Sequence, residues 1–170
     1  MGYHLAGFEV VGVDIAHQPR YPFQFVQGDA LEYLATHGHE FDAIHASPPC
    51  QAYSHLTPEA NKCNHKKLIP AVRELCRKIG KPYCIENVAG ARKELEAPAK
   101  CDHSEIPLLV TTASKASREL RFKLGMKPKS VENAPLAYGI DWLTFSELKE
   151  AIPPAYTQFI GMRMKEHLAT

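Results

Sequence analysis

Residues 41–50 of the chain read FDAIHASPPC, and this stretch decides the fold that we predict. Its first six residues have the length and the apolar composition of a buried β-strand. Ser47 and the two prolines after it stop that strand, because proline has no N–H to donate to a ladder. The next residue, Cys50, is therefore expected in a loop directly beyond the end of a strand.

Other segments alternate between strand and helix patterns. Apolar spacing predicts one helix over residues 30–35, capped by Asp29, and another over residues 67–79, ended by Gly80. A last helix is predicted over residues 155–167, after a Pro-Pro start signal. Strands that alternate with helices predict an α/β fold with a mostly parallel sheet. Besides the strand at residues 41–46, we predict strands at residues 9–14, 24–27 and 82–86.

Polar residues follow each of the four predicted strands. Ligands of parallel α/β sheets bind beyond the carboxyl ends of the strands, so these ends mark a site built from several loops. This arrangement is typical of an enzyme. The strand ends carry Asp14, Asp29, Cys50 and Glu86, and we expect the four side chains to converge at one edge of the sheet.

Composition narrows the class of protein without naming it. The 170 residues are 45% hydrophobic and 23% charged, as in an ordinary globular domain. No apolar run has membrane-spanning length and no signal peptide is visible, so we expect a cytoplasmic protein with no membrane partner. The net charge is +1, so any face that binds nucleic acid must be local. Five scattered cysteines indicate reduced thiols and no disulfide framework.

Two motifs resemble those of DNA cytosine-5 methyltransferases. Residues 46–54, ASPPCQAYS, resemble the Pro-Cys-Gln catalytic loop of that family, and residues 86–88 resemble its Glu-Asn-Val motif. They occur in the family's order, each at a strand end, with a helix between them. The resemblance covers roughly residues 1–97 and 131–168, and short phage-type members are the most similar. It implies a Rossmann-like S-adenosylmethionine-dependent methyltransferase fold that acts on double-stranded DNA.

The resemblance also implies roles for individual residues. Cys50 would add to C6 of a flipped cytosine and make C5 nucleophilic, while Glu86 would hold ring N3 and the exocyclic amine. A helix starting directly after the Cys50 loop would favour the thiolate. The implied cofactor is S-adenosylmethionine, and the matching positions are Asp14 and Ile15 for ribose, Asp29 and Ala30 for adenine, and Pro48 in the catalytic loop. Asp14 and Asp29 also suit simple turn or capping roles, which leaves that alternative open.

The chain departs from the family in two places. The family's first strand, which lies in the middle of the sheet, and its glycine-rich cofactor loop have no counterpart before Tyr3. The predicted catalytic core is residues 1–97 and 131–170, around a shortened recognition region at 98–130 in which Arg118 and Arg121 do not match the family's Arg-x-Arg motif. We therefore expect the chain alone to be a poor enzyme. A fragment, a degenerate homologue and one half completed by a second polypeptide are the alternatives, and a non-catalytic DNA-binding remnant is the alternative function.

Two smaller features allow more than one interpretation. Cys63 with His65, and Cys101 with His103, form two Cys-x-His pairs, but such close pairs strain tetrahedral zinc geometry, so we predict no metal site. The basic residues between 115 and 129 suit either a solvated helix face or a face that contacts phosphates.

Overall fold

The computed structural model describes residues 1–95, 152 and 154–169. Predicted features at residues 98–151, including the recognition region, the basic residues and the Cys101–His103 pair, lie outside the described residues. In chain order the described elements are α1 (Gly2–Leu5), β1 (Val11–Asp14), β2 (Gln24–Gln27), α2 (Ala30–His37), a 3-10 turn (Gly38–Glu40), β3 (Ile44–Ala46), α3 (Glu59–Lys62), α4 (Ile69–Ile79), β4 (Tyr83–Ile85), a 3-10 turn (Ala89–Ala91) and α5 (Pro154–Leu168).

The four predicted strands are present and form two pairs. β1 pairs with β2, and β3 pairs with β4 in a second two-stranded sheet. The β3–β4 pair is parallel, with Ile44 opposite Tyr83 and Ala46 opposite Ile85. A parallel pair needs a crossover connection, and α4 lies in the segment that connects β3 to β4. A single Rossmann-like sheet containing all four strands stays a prediction.

Helix α4 forms because its sequence satisfies both its ends and its inner face. Pro70 stands in the first turn, where a missing N–H costs nothing, and Gly80 ends the helix in the left-handed conformation at φ 73°. The inner face buries Val72 and Cys76 against Ile44 of β3, and apolar residues of α2 and β4 pack around them. This packing holds α4 on the strand pair that leads into residues 46–54 and 86–88.

The other two predicted helices are also confirmed. Asp29 caps α2, which continues to His37, two residues beyond the predicted end. Helix α5 begins at Pro154, in agreement with the proline start signal. Within the described part of the chain, no helix is long and apolar enough to cross a membrane.

The described residues fall into two compact units. One contains Met1–Val11, Gln18–Gln24 and residues 152 and 154–163, and the other contains Gly12–His17 and residues 25–95 and 164–169. The first unit holds α1 and an aromatic group in which Tyr21 and His4 both contact the ring of Phe23. The second holds both catalytic motifs and α4. The predicted division into core and recognition region is not tested by this grouping.

Candidate active site

Cys50 lies in a tight turn just beyond β3. Its carbonyl oxygen accepts the N–H groups of Tyr53 and Ser54, both at 2.9 Å, so the chain reverses immediately after the cysteine. The thiol is free and half-buried. Turns follow it at residues 51–53 and 55–56, and the next helix, α3, begins at Glu59. The helix N-terminus that would favour a Cys50 thiolate is therefore not at this position.

The Cys50 turn is anchored on its far side by buried residues. Ala52 and Tyr53 are each 6% exposed and pack with Ile69 of α4 and Ala91. The Tyr53 carbonyl lies so close to Gly90 that a β-carbon there would overlap it. Lys67 adds a cation–π contact, with its Nζ 5.9 Å from the centre of the Tyr53 ring. The turn is thus part of a core cluster, although the cysteine itself reaches the surface.

Glu86 and Asn87 connect the end of β4 to the Cys50 loop. The Glu86 N–H donates to the Ala46 carbonyl at 2.9 Å, which continues the β3–β4 ladder by one bond. The Asn87 side chain then crosses to the loop, where its Nδ2 donates to the Pro48 carbonyl at 2.7 Å. Its Oδ1 accepts the N–H of Val88 at 3.0 Å. Asn87 needs both amide atoms for this bridge, because an aspartate would offer no donor to Pro48.

A second connection runs through side chains that sequence reasoning did not assign to the site. The Ser47 hydroxyl donates to Glu86 Oε2 at 3.0 Å, and His45 Nε2 lies 3.2 Å from the same hydroxyl oxygen. Burial lowers the pKa of the His45 imidazole from 6.5 to about 4. The order of contacts differs from a Ser-His-Glu triad, in which the carboxylate holds the imidazole. Here the carboxylate contacts the serine.

The predicted cofactor residues lie at the ends of β1 and β2. The Asp14 carbonyl accepts the N–H of Gly28 at 3.0 Å, which joins the two strand ends. Asp14 Oδ1 accepts the Ala16 N–H at 2.7 Å, so the carboxylate is fixed beside the turn. Ile15, directly after β1, is 74% exposed.

Asp29 and Ala30 begin α2. Asp29 Oδ1 accepts the N–H groups of Leu31 at 2.8 Å and Glu32 at 3.3 Å, so the capping interpretation of this residue is confirmed. Both bonds use the same oxygen. Within residues 1–95 and 154–169, Oδ2 has no hydrogen bond, which leaves one carboxylate oxygen for a ligand. Ala30 is exposed as the first residue of the helix.

The structure therefore brings the predicted residues together in two groups. Cys50, Pro48 and Glu86 form one group at the ends of β3 and β4, and Asp14, Ile15, Asp29 and Ala30 form the other at the ends of β1 and β2. Convergence of both groups at one sheet edge stays a prediction. Among the described residues, no group of three or more His, Cys, Asp or Glu side chains is arranged to hold a metal ion.

Comparison of the chain with protein-family models, with curated proteins and with solved structures gave no match. The resemblance to methyltransferase motifs therefore stays a prediction from the sequence.

Replacing Gly90 tests the anchor of the Cys50 turn. Gly90→Ala would drive a methyl group into the Tyr53 carbonyl, and we expect the free energy of unfolding to fall by about 1–3 kcal/mol. Urea unfolding measures the change. Gly28→Ala is the matched control, because a β-carbon at Gly28 meets no atom within 4 Å. Equal stability of the two variants would contradict the close approach.

The lowered pKa of His45 predicts that the free energy of unfolding depends on pH. Between pH 6.5 and about 4 the unfolded chain binds a proton at His45 that the folded chain does not bind. The free energy of unfolding contributed by this residue is therefore lost as the pH falls through that window. Urea unfolding should show that the free energy of unfolding falls less between pH 7 and pH 5 in His45→Gln than in the unsubstituted chain. NMR titration of the His45 ring is the direct measurement, and a pKa near 6.5 would contradict the burial. His39→Gln, at an exposed histidine, controls for loss of an imidazole.

Proposed function

We propose that this chain is the catalytic core of a DNA cytosine-5 methyltransferase, with Cys50 as the nucleophile and Glu86 as the carboxyl group that holds the cytosine. The observation that carries the proposal is the 2.7 Å bond from Asn87 Nδ2 to the Pro48 carbonyl. It ties the loop bearing the thiol to the strand end bearing the carboxyl group. Covalent attack on a ring that a second group must hold requires both groups in one place.

Cys50 suits attack on cytosine better than the other described cysteines. Its thiol is free and half-buried at a strand end, whereas burial raises the pKa of Cys76 inside the core. In the proposed reaction, the Cys50 thiolate forms a bond to C6 and the electron pair of the C5–C6 double bond moves to C5. C5 would then take the methyl group that S-adenosylmethionine supplies when bound, with its carbon–sulfur bond breaking toward sulfur to leave S-adenosylhomocysteine. Loss of the C5 proton to a base restores the double bond and expels the thiolate.

Glu86 suits the role of holding the ring. Its Oε2 accepts the Ser47 hydroxyl, and within the described residues its Oε1 makes no hydrogen bond. A carboxyl group held at Oε2 can accept a hydrogen bond from the exocyclic amine of cytosine, and a proton on its open Oε1 can be donated to N3, which is an acceptor. A base inside a duplex is stacked and paired, so the substrate is a cytosine flipped out of double-stranded DNA.

The described residues fit the adenosine half of S-adenosylmethionine, which supplies an electrophilic methyl group when bound. The open Oδ2 of Asp29 can accept the adenine amino group. The exposed side chain of Ile15, next to Asp14, offers an apolar surface to the ribose end of the adenosine. Asp14 carries a fixed carboxylate of the kind that accepts ribose hydroxyls. Free thiols and a DNA substrate both suit a cytoplasmic location.

A covalent adduct tests the nucleophile. In DNA copied with 5-fluorocytosine in place of every cytosine, the target base is substituted whatever the recognition sequence is. Fluorine cannot leave C5 as a proton does, so the covalent adduct is trapped. Because a trapped adduct needs only one turnover, even the poor enzyme expected of the chain alone should accumulate it, and we expect a denaturation-resistant adduct to form slowly on this DNA with the full chain and excess S-adenosylmethionine. Cys50→Ser should abolish it, as judged by a mobility shift in a denaturing gel.

Cys63→Ser is the matched control, since Cys63 is an exposed free thiol outside the site. An adduct that survives Cys50→Ser would assign the chemistry to another thiol. DNA binding without any adduct from the unsubstituted chain would favour the alternative, a non-catalytic DNA-binding remnant of the same fold.

Two substitutions at Asp29 separate its capping role from cofactor binding. Asp29→Asn keeps a capping oxygen but turns the other atom into a donor, which opposes the adenine amino group. We expect this variant to keep its stability and to bind S-adenosylmethionine about tenfold more weakly by calorimetric titration. Asp29→Ala should also lose about 0.5–2 kcal/mol of stability with the cap. Unchanged affinity in Asp29→Asn would leave Asp29 as a cap alone.

A further inference from the structure

Three side chains form a hydrogen-bonded chain that ends on Glu86. His45 and Ser47 are two residues apart along an extended segment, so they project from the same face of it. The β3–β4 register places Ala46 opposite Ile85, and its continuation places Ser47 opposite Glu86. His45 Nε2 lies 3.2 Å from Ser47 Oγ, which lies 3.0 Å from Glu86 Oε2. The parallel pairing thus builds the contact from residues 39 positions apart.

The positions of the protons along the hydrogen-bonded side chains of His45, Ser47 and Glu86 follow from the chemistry of each group. Glu86 Oε2 accepts the hydrogen bond from the Ser47 hydroxyl, and that hydroxyl has a single proton, so the proton points to Glu86. The lone pairs of Ser47 Oγ then face His45 Nε2, which must carry the hydrogen. Burial supports this assignment, since the lowered pKa of His45 keeps the imidazole neutral with one N–H.

We propose that His45 and Ser47 are positioning residues that hold the Glu86 carboxylate by its Oε2 and direct its Oε1 to the substrate base. This inference rests on the proposed function. A neutral histidine suits the task because it supplies a donor without placing a positive charge beside the carboxylate. Ser47 transmits the constraint, because its hydroxyl contacts both neighbours. Glu86 remains the group that touches cytosine.

Adduct formation on the 5-fluorocytosine DNA measures the effect. Ser47→Ala frees the carboxylate to rotate, and we expect the rate of adduct formation to fall about 10- to 100-fold with little change in the DNA concentration at half-maximal rate. Ser47→Thr keeps the hydroxyl and should restore most of the rate. His45→Gln keeps a terminal N–H donor and should lose less rate than His45→Leu. Thr36→Val removes a hydroxyl on α2, away from both motifs, and controls for a general effect.

A double-mutant cycle separates positioning from a general loss of structure. In a Glu86→Ala background there is no carboxylate to hold, so adding Ser47→Ala should cause no further loss of rate. Independent losses that multiply would overturn the inference. NMR of nitrogen-labelled protein without DNA gives a second readout, the hydrogen on Nε2 of His45, and a hydrogen on Nδ1 alone would also overturn it.

The same experiments distinguish this inference from the proposed function. An adduct that needs Cys50 but forms at the same rate in Ser47→Ala overturns the positioning role and leaves the proposed function in place. No adduct from the unsubstituted chain overturns the proposed function, and the positioning role falls with it.

Discussion

The bond from the Asn87 amide to the Pro48 carbonyl is the constraint on which the arrangement of the candidate site depends. Proline has no N–H to donate to a ladder, so β3 ends before Pro48. The carbonyl of Pro48 is therefore left without a partner in the ladder. Asn87 satisfies that carbonyl from the neighbouring strand end. The two loops therefore hold each other where backbone pairing stops. A covalent mechanism needs this kind of fixed geometry before any substrate arrives.

The core beneath the loops explains how a small strand pair keeps this geometry. In α4, Val72 and Cys76 pack against Ile44, and Ile69 at the start of the same helix packs against Tyr53. One helix thus supports both the strand that leads into the Cys50 loop and the turn that follows it. Close-packed interiors transmit small displacements, so substitutions on the inner face of α4 should shift the position of Cys50.

Much of the local structure could be predicted from the sequence because its signals are local. Asp29 before a helical pattern and Gly80 after one mark helix ends by chemistry confined to a few residues. Ser47 and His45 could not be assigned to the site in this way, because their partner Glu86 is reached only through the strand register. The sequence left open whether a helix follows the Cys50 loop, since a helix and an isolated turn begin with the same backbone bonds. Whether the four strands form one sheet depends on long-range pairing that no local pattern encodes.

The shared use of the Asp29 carboxylate links ligand binding to local folding. One oxygen holds the first turn of α2, and the proposed function gives the other to adenine. A ligand on that carboxylate binds only molecules in which the helix start is formed, so it must stabilise that start by mass action. The amide hydrogens of Leu31 and Glu32 would then exchange with solvent more slowly as the cofactor concentration rises. The exchange rates of these two backbone amides would therefore report the occupancy of the proposed cofactor site.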